Sequence, residues 1–160
     1  MKLINRDADY AVKALLAVAR RKGKITPVTE LTAELGLPRP YLRKIMQTLG
    51  RRGIVRSSKG RGGGFVLARP AGRIAVADVI RAFQGEISLH DCLFKKKVCP
   101  DVATCPLRES IGRLERRLVA DLEALTVASI LEGGQATAES RGARAKDRAS
   151  SIPARTRRHP

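Results

Sequence analysis

Apolar residues recur with helical spacing over most of this chain. Val12, Leu15, Leu16 and Ala19 fall at i, i+3, i+4 and i+7 and predict a first amphipathic helix running to about Arg21, with Asp7 as its N-cap. Thr26 followed by Pro27 reads as a capping residue and then proline at the first helical position. The second helix opened there would bury Val28, Leu31 and Leu35 and close at Gly36. Leu42, Ile45, Met46 and Leu49 repeat the spacing in a third helix over roughly residues 39–52, with Gly53 where a left-handed cap is needed. Two short helices joined by a tight turn containing glycine form a helix-turn-helix pattern.

The period then shortens. Residues 54–57 and 65–68 predict two strands flanking a basic, glycine-rich turn that contains Lys59 and Arg61. Strand, turn and strand make a wing, in which glycine permits close backbone approach to a ligand. A turn at residues 70–72 leads to a helix over 76–83, with Val76, Val79, Ile80 and Phe83 on one side. Beyond Cys105, Leu107, Ile111, Leu114, Leu118, Leu122 and Leu125 recur at steps of four, three, four, four and three. That is close to a heptad seam, and pairing with a second copy accounts for it better than packing on so small a domain.

From Gly133 onward the periodicity stops and Gly, Ala, Ser, Arg and Pro dominate, a composition unable to offset its ordering entropy. The predicted fold is therefore mainly α with a small β-wing. A winged helix-turn-helix domain spans residues 1–85, a cysteine segment 86–106, a long dimerisation helix 107–131, and a disordered basic tail 132–160.

Charge changes this picture most. The 160 residues hold 32 Lys and Arg against 15 Asp and Glu, a net charge of +17. Such an excess points to a polyanion, because each neutralised phosphate releases condensed counterions. The outward face of the third helix carries Arg39, Tyr41, Arg43, Lys44, Gln47, Thr48 and Arg51. A solvated helix face is the plain alternative. The preceding short helix, the overall charge and the wing favour a recognition helix, whose N-terminal residues reach base edges in the major groove. Double-stranded DNA with a palindromic operator is the expected partner, contacted by Arg39, Tyr41, Arg43, Lys44, Gln47, Lys59 and Arg61. A nucleotide-binding loop is excluded, since the glycine-rich turn is followed by a strand where a helix is required. No apolar run approaches the roughly 20 residues of a membrane span. The expected location is the cytoplasm, with no membrane partner.

Candidate chemistry is confined to the fourteen residues from Cys92 to Cys105, which hold all three cysteines, at Cys92, Cys99 and Cys105. Lys95, Lys96 and Lys97 lie between the first two, a charge arrangement that favours thiolate. Three small hydrophobes beside a solvated lysine run is the bland alternative, yet the clustering argues for a shared ligand. Structural zinc sites usually include a cysteine pair two to four residues apart, and none occurs here. Iron–sulfur clusters accept wider and more varied spacings. A catalytic thiol would need an oriented base, and His90 is too near Cys92 in sequence to serve well. The chain does not read as an enzyme.

Taken together, residues 9–15 (Asp-Tyr-Ala-Val-Lys-Ala-Leu), 40–42 (Pro-Tyr-Leu), the wing at 60–65, residues 75–80 (Ala-Val-Ala-Asp-Val-Ile) and the three cysteines resemble bacterial winged-helix regulators of the IscR and NsrR type, over about residues 1–130. The resemblance implies a homodimeric repressor or activator with Cys92, Cys99 and Cys105 as ligands of a [2Fe–2S] or [4Fe–4S] cluster. It implies that cluster loss, oxidation or nitrosylation changes DNA affinity. It also offers Asp9, from the partner subunit, as a fourth ligand, with His90 as the alternative. The first cysteine gap is six residues where the best-known members have five, and Arg108 stands where IscR-type members place a histidine ligand. Two other functions remain: a winged-helix regulator using its cysteines directly as a thiol or zinc sensor, and a small cluster carrier or redox protein.

Overall fold

The computed structural model describes residues 3–60, 62–89 and 105–133. In chain order these form α1 (Arg6–Arg20), β1 (Thr26–Pro27), α2 (Val28–Leu35), α3 (Arg39–Arg51), β2 (Val55–Ser58), β3 (Gly64–Leu67), a 3-10 turn (Ala71–Arg73), α4 (Val76–Gln84) and α5 (Pro106–Ala124). A closing helix, α6, covers residues 127–133. Helix-turn-helix, antiparallel hairpin and trailing helices make a winged helix, as the hydrophobic pattern predicts.

Helix α1 begins earlier and faces differently than expected. Its N-cap is Asn5, whose side chain accepts from the Ala8 amide at 2.8 Å, and Asp7 lies in the first turn. The choice is tertiary: the Asn5 amide donates to Gln84 Oε1 at 2.9 Å, while Gln84 Nε2 donates to the Leu3 carbonyl at 2.8 Å, both across the fold to α4. The buried face is Ala8, Ala11, Ala14, Leu15, Ala17 and Val18, with Val12, Leu16 and Ala19 only half-buried. Alanines let α1 approach its neighbours closely, and a spacing rule weighted to bulky residues overlooks them.

Thr26 and Pro27 do not open a helix by side-chain capping. Pro27 occupies the N-cap position of α2 with no side-chain cap bond, and both residues pair with β3, Thr26 opposite Phe65 and Pro27 opposite Gly64. Gly64 makes this possible, because a Cβ there would sit 2.1 Å from the Thr26 carbonyl oxygen. The sheet order is therefore β1-β3-β2, one strand more than the hairpin foreseen. β2 and β3 run from Val55 opposite Leu67 to Ser58 opposite Gly64.

The core matches the pattern of α3 closely. Leu42, Ile45, Met46 and Leu49 are all buried, packed in one cluster with Leu15, Val18, Leu31, Ile54, Ile74, Val79 and Val127. Gly53 takes the left-handed conformation, with φ +65°, just past the end of the helix. Salt bridges Arg20–Glu34 (3.0 Å) and Arg21–Glu30 (2.6 Å) join the end of α1 to α2. Their exposed partners contribute little beside that burial.

The single helix expected over 107–131 is interrupted. α5 ends at Ala124, Leu125 is extended, and Thr126 forms an isolated antiparallel bridge with Ala75. The Val76 amide donates to the Leu125 carbonyl at 2.8 Å, and the Val127 amide donates to the Ile74 carbonyl at 3.0 Å. Those bonds draw the chain out of helical geometry, and the Thr126 and Ser129 side chains restart it as α6. A second cluster of Val76, Ala77, Ile80, Ile87 and Leu122 holds the end of α5 against α4. The expected tail falls outside the described residues except for its first two positions, which lie in α6.

Thr26 is fully buried and its hydroxyl has no partner among the described residues. A buried unsatisfied polar group costs about 1–3 kcal/mol, whereas the valine isostere removes that group and keeps the shape. Thr26→Val is expected to raise the urea midpoint at unchanged m-value, by about 1 kcal/mol of stability. A lowered midpoint would mean that the hydroxyl is bonded in solution.

Candidate functional site

The inner stripe of α3 is consumed by the core, so its other side is turned outward by the 3.6-residue period. Arg39, Arg43, Lys44 and Gln47 are exposed there. Facing Arg39, Arg43 and Gln47 across a surface groove of about 580 Å³ are Ser57, Ser58, Lys59 and Gly60 of the wing. The floor is apolar, formed by Val28, Met46, Val55 and Phe65. A helix displaying cations beside a basic hairpin presents one element to a groove and another to the phosphate backbone. Arg61 lies outside the described residues.

Tyr41 belongs to α3 but not to its outward stripe. It is half-buried, its hydroxyl donates to Asp7 Oδ1 at 2.5 Å, and its ring meets Tyr10 edge-on at 5.9 Å with an interplanar angle of 89°. The structure therefore gathers Arg39, Arg43, Gln47 and Lys59 at one groove, leaves Lys44 on the adjoining α3 surface, and turns the Tyr41 hydroxyl toward α1.

Cys105 is the N-cap residue of α5, half-buried and free. Cys92 and Cys99, with His90, lie outside the described residues. Just before them, the Leu89 amide donates to Glu115 Oε2 at 2.8 Å. The segment between Leu89 and Cys105 thus starts and ends on the same helix, at positions about 15 Å apart along its axis. Nothing in the sequence marks Glu115, since one of three glutamates on the polar side of a helix carries no local signal. Among the described residues no group of three or more His, Cys, Asp and Glu comes together.

Spacing from Asp9 to Val12 and Leu16 predicts that Asp9 lies on the packed side of α1. Its side chain is 51% exposed and pairs with Lys13 Nζ at 2.7 Å, one helical turn on. The rotation of α1 onto its alanine face accounts for this outward position. The Asp9 carboxylate, by accepting that bond, raises the pKa of the Lys13 ammonium.

Comparison with protein-family models matches residues 4–133 to Rrf2, described as an iron-dependent transcriptional regulator. The chain belongs to the Rrf2 family. Solved structures show the same fold. CymR of B. subtilis, named as the global cysteine regulator, is 24% identical with a TM-score of 0.70, the alignment covering 82% of this chain and 98% of CymR. T. potens IscR is 23% identical with a TM-score of 0.63, covering 84% of this chain and 88% of IscR. The oxidised form of Staphylococcus aureus CymR is 22% identical with a TM-score of 0.63, covering 82% of this chain and 97% of that one.

As an Rrf2 protein the chain is a DNA-binding transcriptional regulator rather than an enzyme. No helix among the described residues is long and apolar enough to cross a membrane.

The Asp7 carboxylate also leaves a measurable mark. Chiefly through its hydrogen bond, and then through burial, Tyr41 is pushed up to about 12. An unperturbed phenol ionises near 10. With the folded value raised, the stabilisation from this contact is fully present below about pH 10 and is lost as pH rises through about 12. The protein has two tyrosines and no tryptophan, so near-ultraviolet tyrosinate absorbance reads them cleanly. The late component of that titration is expected to vanish in Tyr41→Phe and to move to lower pH in Asp7→Ala. A late component that persists in both variants would show that the contact does not form in solution.

Proposed function

We propose that this Rrf2 protein is a homodimeric, cytoplasmic regulator whose affinity for a palindromic operator is set by an iron–sulfur cluster held by Cys92, Cys99 and Cys105. Residues 1–85 read DNA, 86–106 hold the cluster and 107–131 form the dimer contact. The fourth donor is Asp9 of the partner subunit, with His90 as the alternative. The carrying observation is the juxtaposition of a basic α3 stripe with the wing in a chain whose family is described as iron-dependent. A cluster-carrier function would leave that groove without a use.

The residues that can be placed fit such a cluster. Cys105 offers a free, half-buried thiol at the amide-rich end of a helix, where anionic ligands are favoured. Thiolates are the usual ligands of these clusters, and an exposed carboxylate one helical turn from a lysine is open to a second subunit. An oxygen donor binds iron more weakly than thiolate, so displacement of Asp9 would open a site for a small molecule such as nitric oxide. Bound there, a cluster adds redox and nitric-oxide reactivity to the chain's own thiol chemistry. Dimerisation is supported by Leu107 and Leu114, which are 68% and 61% exposed on α5, with Ile111 half-buried between them. That face is the upper part of the heptad seam and lies outside both described core clusters.

Lys59→Ala is expected to weaken binding to all duplexes and lower the salt slope by about one, as loss of one phosphate contact does. Arg43→Ala is expected to change the preferred sequence instead, at about 1–3 kcal/mol for a lost bidentate contact. Unchanged affinity and preference in both variants would remove the groove from DNA reading.

Anaerobic purification is expected to give a coloured dimer containing iron and sulfide. Cys99→Ala and Cys105→Ala should lose both, and Asp9→Ala should keep some cluster with an altered spectrum and nitric-oxide response. Leu114→Asp combined with Leu118→Asp should give monomers. Wild-type protein carrying zinc, or three titratable thiols and no iron, would establish the thiol or zinc sensor in place of the cluster.

A further inference from the structure

Tyr41 stands in the first turn of α3, between Arg39 and Arg43, yet its polar end faces the protein. Its hydroxyl reaches Asp7 in the first turn of α1, 34 residues earlier in the chain. Around this bond, Tyr10 packs edge-on against the Tyr41 ring at 5.9 Å, and the Arg6 guanidinium lies 5.7 Å from the centroid of the Tyr10 ring. The N-terminus of α3 has no side-chain cap, because Pro38 occupies the capping position and Pro40 the second helical one. Leu42 is the first α3 side chain sunk in the core. The turn before it, which carries Arg39, is therefore oriented through Tyr41.

We propose that the Asp7–Tyr41 hydrogen bond is a specificity-positioning contact, setting the placement of the α3 N-terminus in the major groove without itself touching DNA. The proposal rests on α3 being the recognition helix. Base-edge hydrogen bonds demand tight distance and angle, so a small tilt of the first turn weakens them. Phosphate contacts from long Lys and Arg side chains adapt to the same tilt. Loss of the latch should therefore reduce discrimination and leave nonspecific binding alone. This is a different role from the direct base contact expected of Tyr41 from sequence.

The test uses the full-length protein. Selection from a random duplex library with wild type defines a preferred duplex. Affinities for that duplex and a scrambled one are then compared for wild type, Tyr41→Phe, Asp7→Ala, Asp7→Asn and the double variant Tyr41→Phe/Asp7→Ala, each shown by thermal melting to be folded at the assay temperature. Tyr41→Phe and Asp7→Ala should each lower the preferred-to-scrambled ratio about tenfold, the fold-change one charge-assisted hydrogen bond is worth. The scrambled-duplex affinity and the salt slope should not change. Asp7→Asn keeps an oxygen acceptor and should stay within about threefold of wild type, while the double variant should be no worse than either single. A ratio retained in Tyr41→Phe overturns the proposal. So does a change of preferred base at one position in Tyr41→Phe with Asp7→Ala unaffected, which would make Tyr41 a base-contacting residue. Absence of any preferred duplex for wild type would instead bring down the recognition-helix assignment, and the latch with it.

Discussion

Burial of one stripe of α3 is the constraint on which the rest of the molecule depends. Leu42, Ile45, Met46 and Leu49 are each 0–1% exposed. Sinking side chains of this size stabilises the fold by about 1.5–3 kcal/mol apiece, well beyond what an exposed ion pair contributes. Helical periodicity then leaves the opposite stripe no choice of direction, and Arg39, Arg43, Lys44 and Gln47 are held out toward solvent. The mutual repulsion of Arg39, Arg43 and Lys44 is carried by the core. The same core sets the wing, because the Ile54 amide bonds back to the Leu49 carbonyl at 3.0 Å and starts β2 directly from the end of α3. Helix and hairpin are thus fixed relative to one another before any ligand is met.

The second constraint acts at the far end of the chain. α5 is attached chiefly through its last turns, where Leu122 is buried and Leu118 and Val119 are half-buried against α4. Two backbone hydrogen bonds across Ala75 and Thr126, with Ile74 and Val127 fully buried beside them, clamp its end to the winged domain. The Arg81–Glu123 pair at 2.7 Å adds to the same junction, but Glu123 is exposed and Arg81 only half-buried, so its weight is small. From that clamp the 19 residues of α5 extend about 28 Å to Cys105. On the proposed reading, a chemical event at Cys105 has two physical routes to the basic groove. One would run along α5 to the clamp, and the other would cross to a second subunit packed on the exposed Leu107 and Leu114 face. On either route α1 and α4 receive the displacement, since both pack beside the end of α5.

Asp7 and Asp9 show how a two-residue step divides labour on one helix turn. Asp9 looks outward and pairs with Lys13, while Asp7 is half-buried and accepts the Tyr41 hydroxyl. The separation of about 200° along the helix wheel between them suffices to send one carboxylate to solvent and the other into the interface with α3.

The sequence by itself determined α2, α3 and α4, the hairpin, the basic stripe and the apolar repeat of α5. Each is written in a local period of 3.6 or 2 residues that needs no partner to be read. It also determined the clustering of the three thiols at Cys92, Cys99 and Cys105 along the chain, which is a matter of composition and spacing. Tertiary structure decided the rest. The face of α1 is set by alanines whose small size matters only once α3 and α4 are against them. β1 exists because Gly64 has no Cβ to keep Thr26 away, and the break at Leu125 exists because Ile74 and Val76 offer backbone partners. The hydroxyl of Tyr41 turned inward because Asp7, 34 residues away in sequence, is folded beside it. Such choices depend on backbone and side-chain groups meeting across the fold, and a period along the chain contains no information about which groups will meet.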